Sequence, residues 1–154
     1  MAPLQENKEV VRRYYEEAFN EGRTELLEEL IDPDVLNHDP ISDETLTPDE
    51  ARGYDGFVRH VEAAREAFSD ATVTIEDMIA EENLVAVRFT FAGTNDGPFG
   101  GFEPTDNRVS SSTMVWMRVE DGTIVERWEE SDTLDFLQQL GVIPPADEFM
   151  AVEA

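Results

Sequence analysis

The segment VSSSTMVWMRVEDGTIVERWEESD, residues 109–132, decides the reading of the fold. Two runs rich in β-branched and aromatic residues, Val109 to Val119 and Ile124 to Glu130, flank Glu120-Asp121-Gly122. An Asp-Gly pair between such runs marks a tight antiparallel hairpin. Upstream, Leu84 to Phe91 and the Val73, Ile75 pair show the same two-residue period, with Glu81-Glu82-Asn83 as the turn between them. The second half of the chain therefore reads as an antiparallel sheet, interrupted by a long loop from Gly93 to Asn107.

Ahead of the strands the period is helical. Val10, Val11, Tyr14, Tyr15, Ala18 and Phe19 predict a helix over 7–20 with one buried face, stopped by Asn20-Glu21-Gly22. Thr24 is placed to cap a second, short helix through Leu30, which Asp32-Pro33 closes. Val35 to His38 reads as extended, and 39–48 as a polar, turn-rich covering loop. Phe57, Val61, Ala64 and Phe68 predict a third helix after Tyr54-Asp55-Gly56, broken at Ser69-Asp70. A closing helix runs from Thr133 to Leu140, with Gly141 as its cap and Pro144-Pro145 behind it. Helices first and an antiparallel sheet after them define an α+β domain with helices on one sheet face. One domain over 1–154, with its core in about 7–145, is expected.

Composition narrows the partners. Thirty-six acidic residues against 11 basic ones give a formal net charge of -25, and Lys8 is the single lysine. The acids are spread along the whole chain, which marks a solvated surface, and the field argues against nucleic acid and anionic lipid as partners. Such self-repulsion destabilises a compact chain at low salt, so a cytoplasm rich in screening ions is expected. The N-terminus MAPLQENKEV lacks the apolar stretch of a secretory signal, and no window approaches the run that a membrane helix needs. The absence of cysteine removes disulfides, thiolate metal sites and thiol nucleophiles.

Strict alternation puts Ile124, Glu126, Trp128, Glu130 and Asp132 on one face of the last strand and Val125, Arg127, Glu129 and Ser131 on the other. If the first face looks toward the helices, it carries acids inside, and a buried carboxylate acquires the raised pKa that acid/base chemistry uses. Asp132 is then the candidate. The same residue, or Thr133, also stands where a helix N-cap stands, with Asp135 to complete a box, and the spacing leaves both roles open. Arg88 alternates with Val85, Val87 and Phe89, so it lies on the opposite face, where Glu126 or Glu130 is the expected partner. Trp116 and Met114 share one face of their strand while Val115, Met117 and Val119 share the other. Two partly apolar faces fit helices on the concave side and a second subunit on the convex side, hence a homodimer. His60 flanks the third-helix stripe and is expected to be exposed, whereas His38 lies in a His-Asp-Pro turn. With no second His at ligand spacing near His38 and Asp39, no metal site is expected, and the glycine loop has no lysine and no following helix to cradle phosphate.

Several stretches resemble one family. The run Tyr14-Tyr15-Glu16-Glu17-Ala18-Phe19-Asn20-Glu21-Gly22 followed by Asn37-His38-Asp39-Pro40 is similar to the opening of SnoaL-like polyketide cyclases. Gly93 to Phe99 with Pro104-Thr105 looks like their strand-to-strand loop, and Asp121 to Trp128 like their closing hairpin. Trp128 and Asp132 match a Trp-x-x-x-Asp pattern, and Leu137-Gln138-Gln139-Leu140-Gly141 the tail. The resemblance implies the nuclear transport factor 2-like cone, a curved, mostly antiparallel sheet wrapped around N-terminal helices. It also implies Asp132 as general acid/base in an intramolecular aldol closure without metal or organic cofactor, with His38 beside it. Tyr15, Arg88, Trp116, Trp128 and Glu130 are the expected lining around a small apolar carbonyl compound. Three positions depart from the pattern: Asn95 and Arg127 stand where His is common, and Asp106 where Gly is. Because one fold serves many functions, a non-catalytic module that binds an apolar metabolite is the competing expectation.

The charge imbalance generates a first prediction. The thermal midpoint should rise by about 10 °C or more between 0.1 and 2 M salt, as screening of like charges adds a few kcal/mol. Calorimetry across a salt series is the check, and a flat response would remove the high-salt expectation.

Overall fold

The computed structural model describes residues 2–40 and 45–145. Helix α1 (Ala2–Arg13) continues without a break into a π-helical turn, Tyr14–Asn20. It begins five residues before the periodic stretch because Pro3 is tolerated in a first turn, where no intrahelical donor is needed. The wider π turn keeps Tyr14, Tyr15, Ala18 and Phe19 all buried.

The Thr24 expectation is corrected: Thr24–Leu26 is a 3-10 turn whose N-cap is Arg23 with no side-chain cap, and α2 is the short Leu27–Leu30. Strand β1 (Ile31–Asn37) then starts immediately, so Asp32-Pro33 lies inside an extended segment rather than closing a helix. Proline is tolerated there because β1 is an edge strand. The covering loop falls partly outside the described residues, and its end is a helical turn, α3 (Pro48–Ala51), with a complete Thr47/Glu50 capping box. Helix α4 (Tyr54–Ala67) follows, close to its predicted limits.

Strands β2 (Thr72–Glu81), β3 (Leu84–Thr94), β4 (Arg108–Glu120) and β5 (Thr123–Ser131) and helix α5 (Thr133–Leu140) complete the chain. The curved sheet has the order β1-β5-β4-β3-β2, antiparallel except for the β1–β5 pair. Asp121 (φ 50°) and Gly122 (φ 82°) both occupy the left-handed region that the tight hairpin requires. The inner face of the sheet, from Val85, Val87 and Phe89 to Val115, Met117 and Val119, packs on Val11, Tyr14, Tyr15, Phe57 and Val61 of the helices.

Among the described residues no helix is long and apolar enough to cross a membrane.

Two local features position the site. Between Arg118 and Val119 the β4–β5 register shifts: Val119 pairs with Ile124, but Arg118 pairs with Glu126. Val125 is the extra residue of a β-bulge, and it inverts the face of every later residue of β5. The long β3–β4 loop is fixed by buried Asn95. Its Nδ2 donates to the Ala67 and Gly97 carbonyls at 3.1 and 2.8 Å, and its Oδ1 accepts from the Thr105 amide at 2.9 Å. The departure from His at position 95 thus provides a side chain with two donors and an acceptor aimed at three backbone groups.

Asn95→Ala leaves those groups unpaired in the interior and should cost about 3 kcal/mol in urea unfolding, with the midpoint falling and the m-value unchanged.

Candidate functional site

The inversion at Val125 decides which side chains meet. Beyond the bulge Arg127 pairs with Met117 and Glu129 with Val115, both on the concave face, while Glu126, Trp128 and Glu130 pair with Arg118, Trp116 and Met114 on the convex face. The alternation that grouped Ile124 with Trp128 and Glu130 is therefore corrected: Ile124 is buried, and the other two have turned outward.

On the outer face the His38 ring stacks on Trp128 with centroids 4.8 Å apart and 9° between planes. Its Nε2 lies 2.7 Å from Glu126 Oε2. Arg118 donates from Nε to Glu126 Oε1 at 3.2 Å and from Nη1 to Asn83 at 2.8 Å, and its guanidinium lies 5.9 Å from the Trp128 ring centre. The bond to His38, with the one to Arg118, holds the Glu126 carboxyl below the usual carboxylate range against the cost of burial. Trp116 and Met114 are more than half exposed nearby. Arg88, expected opposite Glu126 or Glu130, instead pairs with Asp77 of the neighbouring β2, with Nη2 donating at 2.6 Å. Glu76 is extra in a β2 bulge, which sets Asp77 directly opposite Arg88.

Asp132 is exposed, with its backbone N–H on the Ser112 carbonyl, and its side chain accepts the Asp135 amide at 3.2 Å as the N-cap of α5. Of the seven residues singled out in the sequence, Tyr15 alone lies in the core, and His38, Arg88, Trp116, Trp128 and Glu130 share the outer face.

A different polar group occupies the concave side. Arg127 is 2% exposed, among the largest fully buried side chains. Its Nη2 donates to Glu129 Oε1 at 2.8 Å and its Nη1 to Asn37 Oδ1 at 3.2 Å, and the Phe57 ring centre lies 5.9 Å away. Burial works against the charge, but the Glu129 carboxylate and the two tyrosine oxygens outweigh it and raise the guanidinium pKa. Glu129 is itself held by the end of β1, because its amide donates to Asp39 Oδ2 at 2.7 Å and the Arg127 carbonyl accepts the His38 amide at 2.9 Å.

Arg127 Nε, the Tyr15 hydroxyl and His60 Nδ1 are buried polar atoms without a hydrogen bond of full geometry. Burial pushes the Tyr15 hydroxyl pKa up, against the charge of Arg127 and a hydrogen-bond contribution from its guanidinium. The Tyr14 hydroxyl is pushed up to about 12, chiefly by burial. His60 is not exposed as its place on the helix implied. Its Nδ1 is sealed in, and burial, reinforced by Arg127, lowers the imidazole from 6.5 to about 3. Sequence reasoning missed Arg127 and Glu129 because the bulge has no compositional mark. The signal available was an Arg two positions from a Glu at the centre of a strand.

A separate open cleft of about 610 Å³ lies between the Thr24–Leu30 segment and α4, lined by Glu25, Glu28, Tyr54, Val58 and Glu62 among others. It is acidic and contains none of the groups above.

The chain belongs to the SnoaL-like polyketide cyclase family, whose model matches residues 9–140. It is 34% identical over 132 residues to nogalonic acid methyl ester cyclase of Streptomyces nogalater, covering 85% of this chain and 95% of that protein. Aklanonic acid methyl ester cyclase DauD of Streptomyces sp. (strain C5) is 31% identical over 147 residues, covering 91% and 84%. Among solved structures, IdmH of Streptomyces antibioticus superposes with a TM-score of 0.75 at 35% identity, over 88% of this chain and 98% of that one. TsrD of Streptomyces laurentii gives 0.78 at 24% identity over 90% and 97%, a likeness of fold. The nuclear transport factor 2-like α+β architecture implied by the sequence motifs is the one observed.

The depressed His60 pKa has a stability consequence of fixed sign. The folded state refuses a proton that the unfolded chain takes up below about 6.5, so this contribution is complete above that pH and is lost as pH falls toward 3. Between pH 7 and 5 the wild type should lose about 2 kcal/mol more than His60→Phe, measured by urea unfolding at each pH.

Proposed function

We propose that this chain is a cofactor-free acid/base enzyme of the cyclase type, acting on a small apolar carbonyl compound in the interior of the cone. The observation that carries the reading is Glu129, a carboxylate on the concave face whose orientation is fixed by buried Arg127. Glu129 removes a proton from a carbon beside a carbonyl, the electron pair moves onto the carbonyl oxygen, and the proton later returns to the product. Arg127, Tyr15 and His60 supply polar atoms where charge develops, in a region that excludes water. The relatives' substrates, named as methyl esters of nogalonic and aklanonic acids, support an ester or ketone ligand. Asp132 orients the end of β5 by capping α5, and His38 braces the same edge through Glu126 and Trp128.

A second assignment keeps Asp132 as the acid/base group with His38 as its partner, and the Trp128-to-Asp132 spacing favours it. A non-catalytic binding module remains the alternative for the whole chain, supported by an exposed Asp132 that already has a structural role as a cap. A homodimer through the outer Met114, Trp116 and Trp128 surface, in a high-salt cytoplasm, completes the reading.

The test is carbon-bound proton exchange of an aromatic β-keto methyl ester in deuterated buffer at molar salt. Glu129→Gln should lower the exchange rate by about 10²-fold or more. Asp132→Asn, which still caps a helix, should stay within about threefold. The reverse pattern would transfer the role to Asp132, and binding without exchange by the wild type would leave a binding module.

A further inference from the structure

Among the described residues, four of the six exposed large hydrophobic side chains, Leu36, Ile79, Met114 and Trp116, stand on the outer face of the sheet. The strand registers arrange that face in rows. One row crosses four strands as Ile79, Ala86, Trp116 and Trp128, and it is apolar from end to end. The row on one side of it reads Asp77, Arg88, Met114 and Glu130. On its other side Leu84, Arg118, Glu126 and Leu36 align. An apolar band of this kind on a chain of net charge -25 marks a surface that something covers.

Size and charge on this face are self-complementary about β4, the middle strand of the five. Strands β5 and β3 flank it, each about 4.8 Å away. In the apolar row the large Trp128 on β5 has the small Ala86 as its counterpart on β3. In the next row the counterpart of Glu130 is Arg88. Glu130 is exposed and has no cation beside it among the described residues. Arg88 gives Nε and Nη2 to the same Asp77 oxygen, at 2.9 and 2.6 Å, which leaves Nη1 without an acceptor. Two copies of charge -25 repel, so they meet at least cost where charges are already paired. On this face Arg88 holds Asp77, and Arg118 holds Glu126.

We infer that a second copy of this chain docks on this face with the two-fold axis along β4, so that Trp128 of each copy covers Ala86 of the other and Glu130 of each meets Arg88 of the other. The inference rests on the homodimer of the reading above and assigns the pairing within it. An axis along β4 exchanges β3 with β5 and keeps each row opposite itself, so every large or acidic group meets a small or basic one. An axis across the strands would exchange the outer rows instead, setting Glu126 over Glu130 and Trp128 over Trp128, like on like. Curvature favours the same choice. Two outward-bowed faces touch first along their middles, and the middle strand presents Met114 and Trp116, both more than half exposed.

Sedimentation velocity at tens of micromolar protein tests this, in about 0.5 M salt to screen the overall repulsion while direct contacts persist. Wild type should be a dimer. Glu130→Arg and Arg88→Glu should each weaken self-association about tenfold or more, the first by opposing two arginines and the second two acids. Mixed together, these two variants should regain wild-type affinity, because each supplies the charge that the other lacks. If Arg88→Glu fails to fold beside Asp77, a size exchange makes the same test. Ala86→Trp alone should be monomeric with an unchanged circular dichroism spectrum, and Trp128→Ala added to it should restore the dimer. A monomeric wild type overturns the inference, as does a Trp116→Glu variant that remains dimeric. A dimer that Trp116→Glu breaks but that neither mixture restores overturns the pairing and leaves the homodimer standing. Proton exchange and its loss in Glu129→Gln are measured separately, so the enzymatic reading stands or falls on its own.

Discussion

A guanidinium in a protein core is tolerable only where carboxylate and amide oxygens surround it, and the neighbourhood of Arg127 is built to that requirement. Glu129 supplies the charge, Asn37 the amide, and Phe57 a ring face. Each comes from a different part of the chain, so pairing Arg127 ties β1 and α4 to the middle of β5. The parallel β1–β5 edge, the one exception in an antiparallel sheet, delivers Asn37 to the guanidinium and Asp39 to the Glu129 amide. Removing one partner would leave a buried charge unpaired, a defect costing about 3–5 kcal/mol, which is why the whole edge closes around it.

The surface follows different physics. Most of the ion pairs on it, such as Arg88 with Asp77 or Arg59 with Glu66, are between well-exposed groups and each is worth little. With a net charge of -25 they cannot balance the acids, so stability rests on the apolar core. The outer face of β4 and β5 combines exposed apolar side chains with an ordered polar group. There His38 and Trp128 stack, Arg118 lies over the same indole, and Glu126 joins them. This ordered aromatic patch and the buried Arg127–Glu129 pair sit back to back on β5, separated by the thickness of the sheet.

Much of the fold was legible in the chain because its elements are set by local rules. The two-residue period of β3 and β4 survives because each strand is apolar on the buried face, and Asp121-Gly122 fixes the hairpin because only such residues enter the left-handed region cheaply. Gly141 ends α5 and Asp132 begins it for equally local reasons. The Thr24 cap and the Asp32-Pro33 stop were misread where two competing local signals were present and the edge pairing of β1 chose between them.

The candidate site was legible only in part. The sequence by itself determined the α+β class, the strand alternation on both sides of the hairpin and the presence of an Arg where a His is common. It also determined Tyr15 as a core aromatic, since its helical stripe admits no other placement. Only the tertiary structure decided which side of β5 faces the helices. One added residue, Val125, reverses every side chain beyond it, and a bulge is a matter of pairing between two strands that neither strand declares alone. For that reason Trp128 and Glu130 went to the outer face, and Arg127 and Glu129 went to the interior, beside Tyr15.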